Sequence, residues 1–516
     1  MLSKPPSLDT KWTSFLVTSS LIGVTLVLAS TSRYGAGLSY DSTVYIAVAR
    51  DLMAGKGVVS SFVAQPPLYP ALLGLFGVDP LRIAHIINAV ILGLIVYLSG
   101  VMLYRHIGAN VLAVIGVVAI LVTRSLVDVS VMAWSEPLFI CFVLLFLLLT
   151  DRYLVTRNVI LLTLLSVVAA LASLTRYAGV TLLGSGLFVI LLLLRTSPKV
   201  KMLHSFLFVL VSAMPLGLWM LRNYAVSGTF FGPRWPSKFT LADAVTLTIR
   251  GLFSWLVPDR FLQYRFALTG LSLATITIFG MIIVYLVKFV SKEDRSRLQA
   301  IIPQIGPIVI FIAVYTTFLI TSSITIAYDA IGIRLLSPIH VPTLILMLSF
   351  AQKLIEPVGK HFSKKSINGV LITTAFVVLL PSLELTTQNT MIRITQGAGG
   401  YNTDLWQRSE TVQYLRSHTL EGNYPVYSNA PDALYILAAM NGHMSPAKTA
   451  HNSPERLNSL SSIEVSWPES HKAYLIWFDN MQRDNLFTID ELKTIVDFES
   501  CNRFSDGAIC VISRRN

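Results

Sequence analysis

Long apolar runs recur along the first three quarters of this 516-residue chain, separated by short polar stretches. About twenty helical residues at 1.5 Å each cover the ~30 Å hydrocarbon core of a bilayer, so each long run predicts a membrane-spanning helix. The runs lie at 12–32, 82–104, 109–123, 137–150, 158–174, 178–194, 203–221, 264–288, 301–322, 336–352 and 367–386. The pattern predicts an all-α polytopic membrane protein with about eleven transmembrane helices.

The N-terminus and every second loop between the runs are short and basic. They hold Lys and Arg at 4 and 11, at 105, and within 152–157, 195–201, 288–297 and 353–365. Cytoplasmic loops carry such an excess of Lys and Arg, so the N-terminus is expected on the cytoplasmic side of the cell membrane (inner or plasma membrane). The first run ends near "VLAS" and could be a signal peptide, but its length favours a retained anchor.

The opposite loops are long and carry most of the polar groups outside the basic loops. They lie at 33–81, 124–136, 222–263 and 323–335, and the chain after about 387 belongs with them. A transporter would be expected to place such groups near the midplane of broken helices. Their position at one membrane face favours a site at the outer surface instead.

The last part of the chain has no apolar run long enough to span a membrane. "YPVYSN" and "AYLIWF" predict short buried strands, and "APDALYILAAMNG" predicts a helix closed by Gly442. "LKTIVDF" and "GAICVIS" could form a hairpin around "SDG", beside which Cys501 and Cys510 could form a disulfide. The sequence predicts a transmembrane domain at 1–386 and a small extracytoplasmic α/β domain at 387–516.

A polar helix follows the first apolar run. The segment "YDSTVYIAVARDLMAGKG" at 40–57 is too short and too polar to span a bilayer. We interpret it as an amphipathic helix lying in the interface, with an apolar strip formed by Val44, Ala47, Val48 and Leu52. Asp41 stands where an N-cap is expected, but its carboxylate could also accept a proton from a bound hydroxyl. These two roles stay open.

The charge balance excludes some classes of protein. Charged residues make up 13% of the chain, against about 25% in soluble domains. The net charge of +12 is explained by basic cytoplasmic loops, and since no basic groove or motif is found, nucleic acid is not expected as a partner. The three cysteines and nine histidines show no recognisable metal spacing. No cofactor is therefore indicated with certainty, although a divalent metal ion remains an option.

Three arginines lie at the outer ends of predicted spans: Arg176, Arg222 and Arg334. A guanidinium can bind phosphate oxygens in a bidentate manner, but an arginine there can also simply reach the interface. Glu136, in "WSEPLF", could complement a helix dipole, contact a sugar or bind a metal. Further candidates for contact with a substrate or metal are Tyr45, Tyr69 and Asp128, although the tyrosines could equally belong to an interfacial aromatic belt.

Several short motifs occur together in a characteristic order. They are "SYDSTVYIAVARDLMAGKGV", "QPPLYPALLGLFG", "WSEPLFI", "TRYAGV", "RNYAVSGTFFGPR" and "RLLSPI". This series resembles the C-type (GT-C) membrane glycosyltransferases, which include protein O-mannosyltransferases and lipid A aminoarabinose transferases. The resemblance extends to about residue 350.

The resemblance implies a GT-C fold with interfacial helices in the first outer loop. It also implies a sugar donor built on a polyprenyl phosphate, and a first-loop acidic residue, here Asp41, that acts as catalytic base. Many relatives carry a paired acidic motif at this position, whereas Asp41 is flanked by Tyr40 and Ser42. Metal use is therefore left open.

The expected function is transfer of a sugar from a polyprenyl-phosphate donor to an acceptor hydroxyl at the extracytoplasmic face. Inversion at the anomeric carbon is expected, because only one good candidate base is found. The sugar and the acceptor, whether protein, lipid or polysaccharide, are not indicated. A transporter or flippase for a lipid-linked sugar is the alternative, followed by a non-catalytic membrane scaffold.

Overall fold

Helices make up most of the chain up to residue 396. The computed structural model describes residues 8–59, 62–255, 292–358 and 362–515. The longer helices of the first part are α1 (Thr10–Ser30), α2 (Tyr40–Met53), α3 (Leu68–Gly74), α4 (Pro80–Ile107), α5 (Val111–Val122), α6 (Arg124–Val131), α7 (Glu136–Thr156), α8 (Val159–Thr175), α9 (Val180–Leu193), α10 (Pro198–Ser227), α11 (Leu241–Phe253), α12 (Lys292–Thr325), α13 (Ile333–Val358) and α14 (Lys364–Gln396).

The apolar helices confirm a multi-pass membrane protein. Among the described residues, seven helices are long and apolar enough to cross a membrane, namely α1, α4, α7, α10, α12, α13 and α14. The pair α5 and α6, bent by 41°, would make an eighth span, while α8 and α9 are apolar but shorter. The run predicted at 264–288 lies outside the described residues, so the count of about eleven stays a prediction.

The first helix packs closely along the central helix α4 because α4 presents glycines to it. A Cβ added to Gly100 would lie 2.1 Å from a methyl carbon of Leu16, and one added to Gly93 would lie 3.3 Å from the carbonyl oxygen of Ser20. Small residues allow helices in a membrane to approach closely. Helix α4 also packs against α5, α6, α7 and α13, so it forms the centre of the bundle.

A small sheet follows α14 and confirms the predicted α/β region. Its strands are β1 (Val426–Ser428), β2 (His443–Met444), β3 (Lys472–Phe478), β4 (Val496–Phe504) and β5 (Gly507–Arg514), in the order β2-β1-β3-β5-β4. β1 pairs in parallel with β2 and β3, whereas β5 pairs antiparallel with β3 and β4. The helices of this region are α15 (Asp404–Gln407), α16 (Glu410–Ser417), α17 (Pro431–Ala438), α18 (Leu460–Ser466) and α19 (Ile489–Leu492).

Three details of this region differ from the sequence prediction or extend it. Helix α17 ends before Gly442, because Ala439 already adopts the left-handed conformation at φ 51°. Cys501 and Cys510 face each other on β4 and β5 and form a disulfide. The predicted boundary at 386 falls inside α14, which continues to Gln396. The division into two domains therefore stays a prediction.

The chain after α14 is bonded directly to the loop between α1 and α2. Asn402 donates to the carbonyl oxygens of Tyr34 and Ala36 at 2.9 and 2.7 Å. Arg33 pairs with Asp404 at 2.8 Å. These bonds join the segment that precedes α2 to the start of the C-terminal region.

Helix α2 is capped by serines and buries only part of the predicted apolar strip. Ser39 precedes it and Ser42 completes the capping box, so Asp41 is not the N-cap. Val48 of the predicted strip is buried, together with Tyr45 and Ile46, whereas the other members of the strip are only half-buried. The predicted strip was only partly right because "VYIAVA" is apolar at every position. Packing against α3, α4 and α17 decides which side is buried.

Candidate active site

One guanidinium connects three carboxylates that come from three parts of the chain. Arg334, in the first turn of α13, donates from Nε to Glu136 Oε1 at 2.5 Å. Its Nη2 pairs with Asp41, and its Nη1 lies 3.4 Å from Asp329 Oδ2. The guanidinium carbon lies 4.0 Å from the ring centre of Trp134, close enough for a cation–π contact. Asp41, Glu136 and Arg334, predicted separately, are thus brought together.

Glu136 is the buried centre of this cluster. Its side chain is only 1% exposed, and it also binds Arg176 Nη1 at 2.8 Å. Arg176 donates to Ser135 Oγ at 3.0 Å as well. Burial alone would lower the pKa of Arg176, but the Glu136 carboxylate raises it above the usual value, so Arg176 stays charged. Glu136 Oε2 has no hydrogen-bond partner among the described residues.

Asp41 is more accessible to solvent than Glu136, the other carboxylate that pairs closely with Arg334. Its side chain is 27% exposed, and its Oδ1 accepts a hydrogen bond from Gln65 Nε2 at 2.8 Å. Since Ser39 and Ser42 cap α2, the carboxylate of Asp41 is not used for capping. Of the two roles left open by the sequence, this geometry excludes capping, and the role of Asp41 as a base stays a prediction.

Tyr45 and Tyr69 lie behind the cluster, where no sugar can reach them in this structure. They are 3% and 0% exposed, and their rings meet edge to face at 5.2 Å. The Tyr45 hydroxyl hydrogen-bonds Ser135 Oγ at 3.1 Å, and Tyr69 donates to Asn88 Oδ1 at 3.2 Å. Burial raises the pKa of both phenols, so they stay neutral. Their geometry supports packing beneath the site rather than the predicted substrate contact.

Arg222 does not join this cluster. Its guanidinium donates to the carbonyl oxygens of Val58, Val59 and Phe62 at 2.9, 2.8 and 2.8 Å. It also lies 4.9 Å from the ring centre of Trp219. The predicted contact between Arg222 and a phosphate therefore gains no support from the structure.

Asp128 belongs to a separate ion-pair group. Its carboxylate binds Arg124 at 2.9 Å and Arg393 at 2.5 Å, which links α6 to α14. This pairing accounts for Asp128 as a structural contact. It lends no support to the predicted role in binding substrate or metal.

Several residues of the site were missed in the sequence. Gln65 and Trp134 directly contact Asp41 and Arg334, and both stand in motifs already singled out, "QPPLYP" and "WSEPLF". His451, from the C-terminal region, lies 3.8 Å from Asp329. His451 and Arg334 together lower the pKa of Asp329. Only the motif neighbours carried a signal, because no local pattern links residue 451 to residue 329.

The carboxylates face a guanidinium rather than one another. Asp41, Glu136 and Asp329 all point to Arg334, and the described residues hold no group of three or more His, Cys, Asp or Glu side chains suited to a metal. A divalent ion needs several carboxylate or carbonyl oxygens around one point. The donor set as arranged here does not fit such an ion.

These features define the class of the protein: a polytopic membrane protein with a charged site that joins α2 to α7 and α13. A similar structure is ArnT from Cupriavidus metallidurans bound to undecaprenyl phosphate, with a TM-score of 0.53, 14% identity and 98% of each chain covered. Another is the archaeal oligosaccharyltransferase AglB from Archaeoglobus fulgidus, in complex with an inhibitory peptide and a dolichol-phosphate. Its TM-score is 0.50, with 12% identity over 90% of this chain and 69% of that one.

At these identities the similarity shows the fold alone. No protein-family model matches this chain, and no curated protein sequence matches it. The two similar structures confirm the GT-C fold expected from the ordered motifs.

Proposed function

We propose that this protein is an integral-membrane glycosyltransferase that moves a sugar from a polyprenyl-phosphate donor to an acceptor hydroxyl. The observation that carries the proposal is the meeting of Asp41, Glu136, Arg176 and Arg334 at one place. Two structures with the same fold are bound to a polyprenyl phosphate or a dolichol-phosphate. A base beside two guanidinium groups suits attack by a hydroxyl and departure of a phosphate.

Asp41 is the base in this proposal. Its carboxylate takes the proton of the acceptor hydroxyl while the hydroxyl oxygen attacks the anomeric carbon. The bond between that carbon and the phosphate oxygen breaks, and the polyprenyl phosphate leaves with the electron pair. Direct attack from the opposite side inverts the anomeric centre.

Arg334 is the phosphate-binding group, and Arg176 supports it from the buried side. All three nitrogens of Arg334 already face carboxylates, so a phosphate must replace one of them. Glu136 is buried, whereas Asp41 is partly exposed. Replacement of Asp41 by the phosphate would free that carboxylate for the acceptor at the moment the sugar donor is in place. The sugar donor is therefore expected to bind before the acceptor.

The reaction belongs at the extracytoplasmic face in this proposal. The cluster is built from α2 and from the outer ends of α7 and α13, as the distribution of basic loops predicts. A polyprenyl tail can stay in hydrocarbon there while its phosphate and sugar reach water. The C-terminal region, which contacts Asp329 through His451, would cover or shape the acceptor side.

The test is transfer by the purified protein from a panel of radiolabelled polyprenyl-phosphate sugars to membrane extract. Label moving from the lipid donor to another molecule supports a transferase. Movement of an intact lipid-linked sugar across a vesicle membrane, with no change in the labelled compound, would instead identify a flippase. If neither transfer nor movement occurs with any member of the panel, the result would favour a non-catalytic membrane scaffold.

A further inference from the structure

The loop between α2 and α3 is held by side chains from distant parts of the chain. Residues 58–59 and 62–65 of this loop are named the clamped loop here. Arg222, near the end of α10, donates from Nη2 to the carbonyl oxygens of Val58 and Val59 and from Nη1 to that of Phe62. One guanidinium thus fixes three carbonyl groups, which its planar set of five N–H donors allows.

Three further side chains donate hydrogen bonds to carbonyl oxygens of the clamped loop. The carbonyl oxygen of Val63 accepts from the Tyr177 hydroxyl at 2.9 Å and from Asn223 Nδ2 at 3.3 Å. The carbonyl oxygen of Ala64 accepts from Arg234 Nη2 at 2.9 Å. These donors stand in "TRYAGV" and "RNYAVSGTFFGPR", two motifs that the catalytic cluster itself leaves largely unused.

The clamped loop ends at the residue that touches the proposed base. Gln65 Nε2 donates to Asp41 Oδ1 at 2.8 Å. A carboxylate only accepts hydrogen bonds, so the amide nitrogen of Gln65 must face it. The other amide atom, Gln65 Oε1, is buried and has no hydrogen-bond partner among the described residues. Asp41 is therefore the group that sets the orientation of this amide, and the amide in turn holds the carboxylate.

We propose that Gln65 is a positioning residue for the Asp41 carboxylate, held in place by the clamp of Arg222, Asn223, Tyr177 and Arg234. The inference rests on the proposed function, in which Asp41 is the base. It assigns Arg222 to the backbone of the first outer loop instead of to a phosphate. A shift of about 1 Å in a reacting group can lower a rate by about 10²-fold, so a distant clamp can matter for chemistry.

The first test replaces the hydrogen-bond donor with an apolar side chain of similar size. Gln65→Leu should lower kcat by about 10²-fold and leave the KM for the polyprenyl-phosphate sugar within twofold. The matched control is Gln388→Leu, because Gln388 is exposed on α14 and donates to a carboxylate, Glu384, at 3.0 Å. An unchanged kcat in Gln65→Leu, with an active native protein, would overturn the positioning role.

A second variant separates positioning from a merely structural role. In Gln65→Glu the new carboxyl can donate to Asp41 only while it carries a proton, since two facing carboxylates repel when both are ionised. Activity relative to the native protein should therefore rise as the pH is lowered. A constant ratio between pH 5 and pH 8 would count against the proposal.

The clamp is tested by a readout that needs no turnover. A lysine cannot donate three hydrogen bonds in the planar arrangement of a guanidinium. Arg222→Lys should therefore speed amide hydrogen exchange in the clamped loop, including at Phe62, whose N–H donates to the carbonyl oxygen of Val59 at 3.1 Å. In an active protein it should also lower kcat while donor affinity stays within twofold. Unchanged exchange would refute the clamp even if no sugar transfer is ever found. A large loss of donor affinity would return Arg222 to a phosphate role.

Discussion

Two arginines that the sequence placed in the same role occupy very different surroundings. Arg334 meets the carboxylates of Asp41 and Glu136, whereas the hydrogen bonds of Arg222 go to backbone carbonyls and to the Asn223 side chain. Each guanidinium lies over a tryptophan ring, at 4.0 Å in the cluster and 4.9 Å in the clamp. Both arginines therefore share the aromatic contact. They differ in the groups that accept hydrogen bonds from the guanidinium, which are carboxylates for Arg334 and mainly backbone carbonyls for Arg222.

That difference separates arginines whose partner a phosphate can replace from arginines whose partners hold the backbone in place. A guanidinium paired with carboxylates already lies among anionic oxygens, so a phosphate can take the place of one carboxylate without leaving the charge unpaired. A guanidinium bonded to several carbonyls would have to release the loop it holds. A position at the end of a predicted span does not reveal which kind an arginine is, but the groups facing the guanidinium do.

The largest effect is expected from removing the base. Asp41→Asn keeps the shape of the side chain but cannot take a proton, so transfer should fall by about 10²- to 10⁴-fold. The protein should remain folded, as judged by gel filtration and thermal unfolding. Asp51→Asn is the matched control on the same helix, because Asp51 pairs only loosely with Lys56 at 3.6 Å. Full activity of Asp41→Asn would remove Asp41 as the base.

The next effect concerns stability. Glu136 is buried between Arg176 and Arg334, and removing one charge from a buried pair typically destabilises a protein by about 3–5 kcal/mol. We expect Glu136→Gln to lower the unfolding temperature clearly in detergent. Glu384→Gln, on the exposed side of α14, should leave it nearly unchanged. Equal unfolding temperatures for the two variants would mean that the cluster does not stabilise the fold.

The two arginines themselves give the direct comparison. Arg334→Ala should weaken binding of a polyprenyl phosphate by about 10- to 100-fold, since a charge-assisted hydrogen bond contributes about 1.5–3 kcal/mol. Arg222→Ala should change that affinity by less than twofold. Titration of both variants with the lipid phosphate measures the difference. Similar losses in the two would erase the distinction between cluster and clamp.

The sequence predicted helices better than contacts. Apolar length alone located every described span, because a bilayer demands about twenty apolar residues whatever their partners are. It left open whether Asp41 caps α2, because two nearby serines compete for the same role and only backbone geometry decides between them. It also gave no sign of the contacts of Arg222, whose main partners are carbonyl groups that every residue has. Contacts between distant segments, such as His451 with Asp329, leave no local pattern.

The smallest effect is expected at the most exposed partner of Arg334. Asp329 is 62% exposed, so its pairing contributes at most about 1 kcal/mol. His451 and Arg334 lower its pKa, so this stability is present above the ordinary pKa of about 3.8 and is lost as the pH falls through the lowered value. Asp329→Asn should therefore reduce stability slightly at pH 7 and flatten the dependence of stability on pH below about pH 4. A wild-type acid profile in this variant would show that the cluster ends at Asp41 and Glu136.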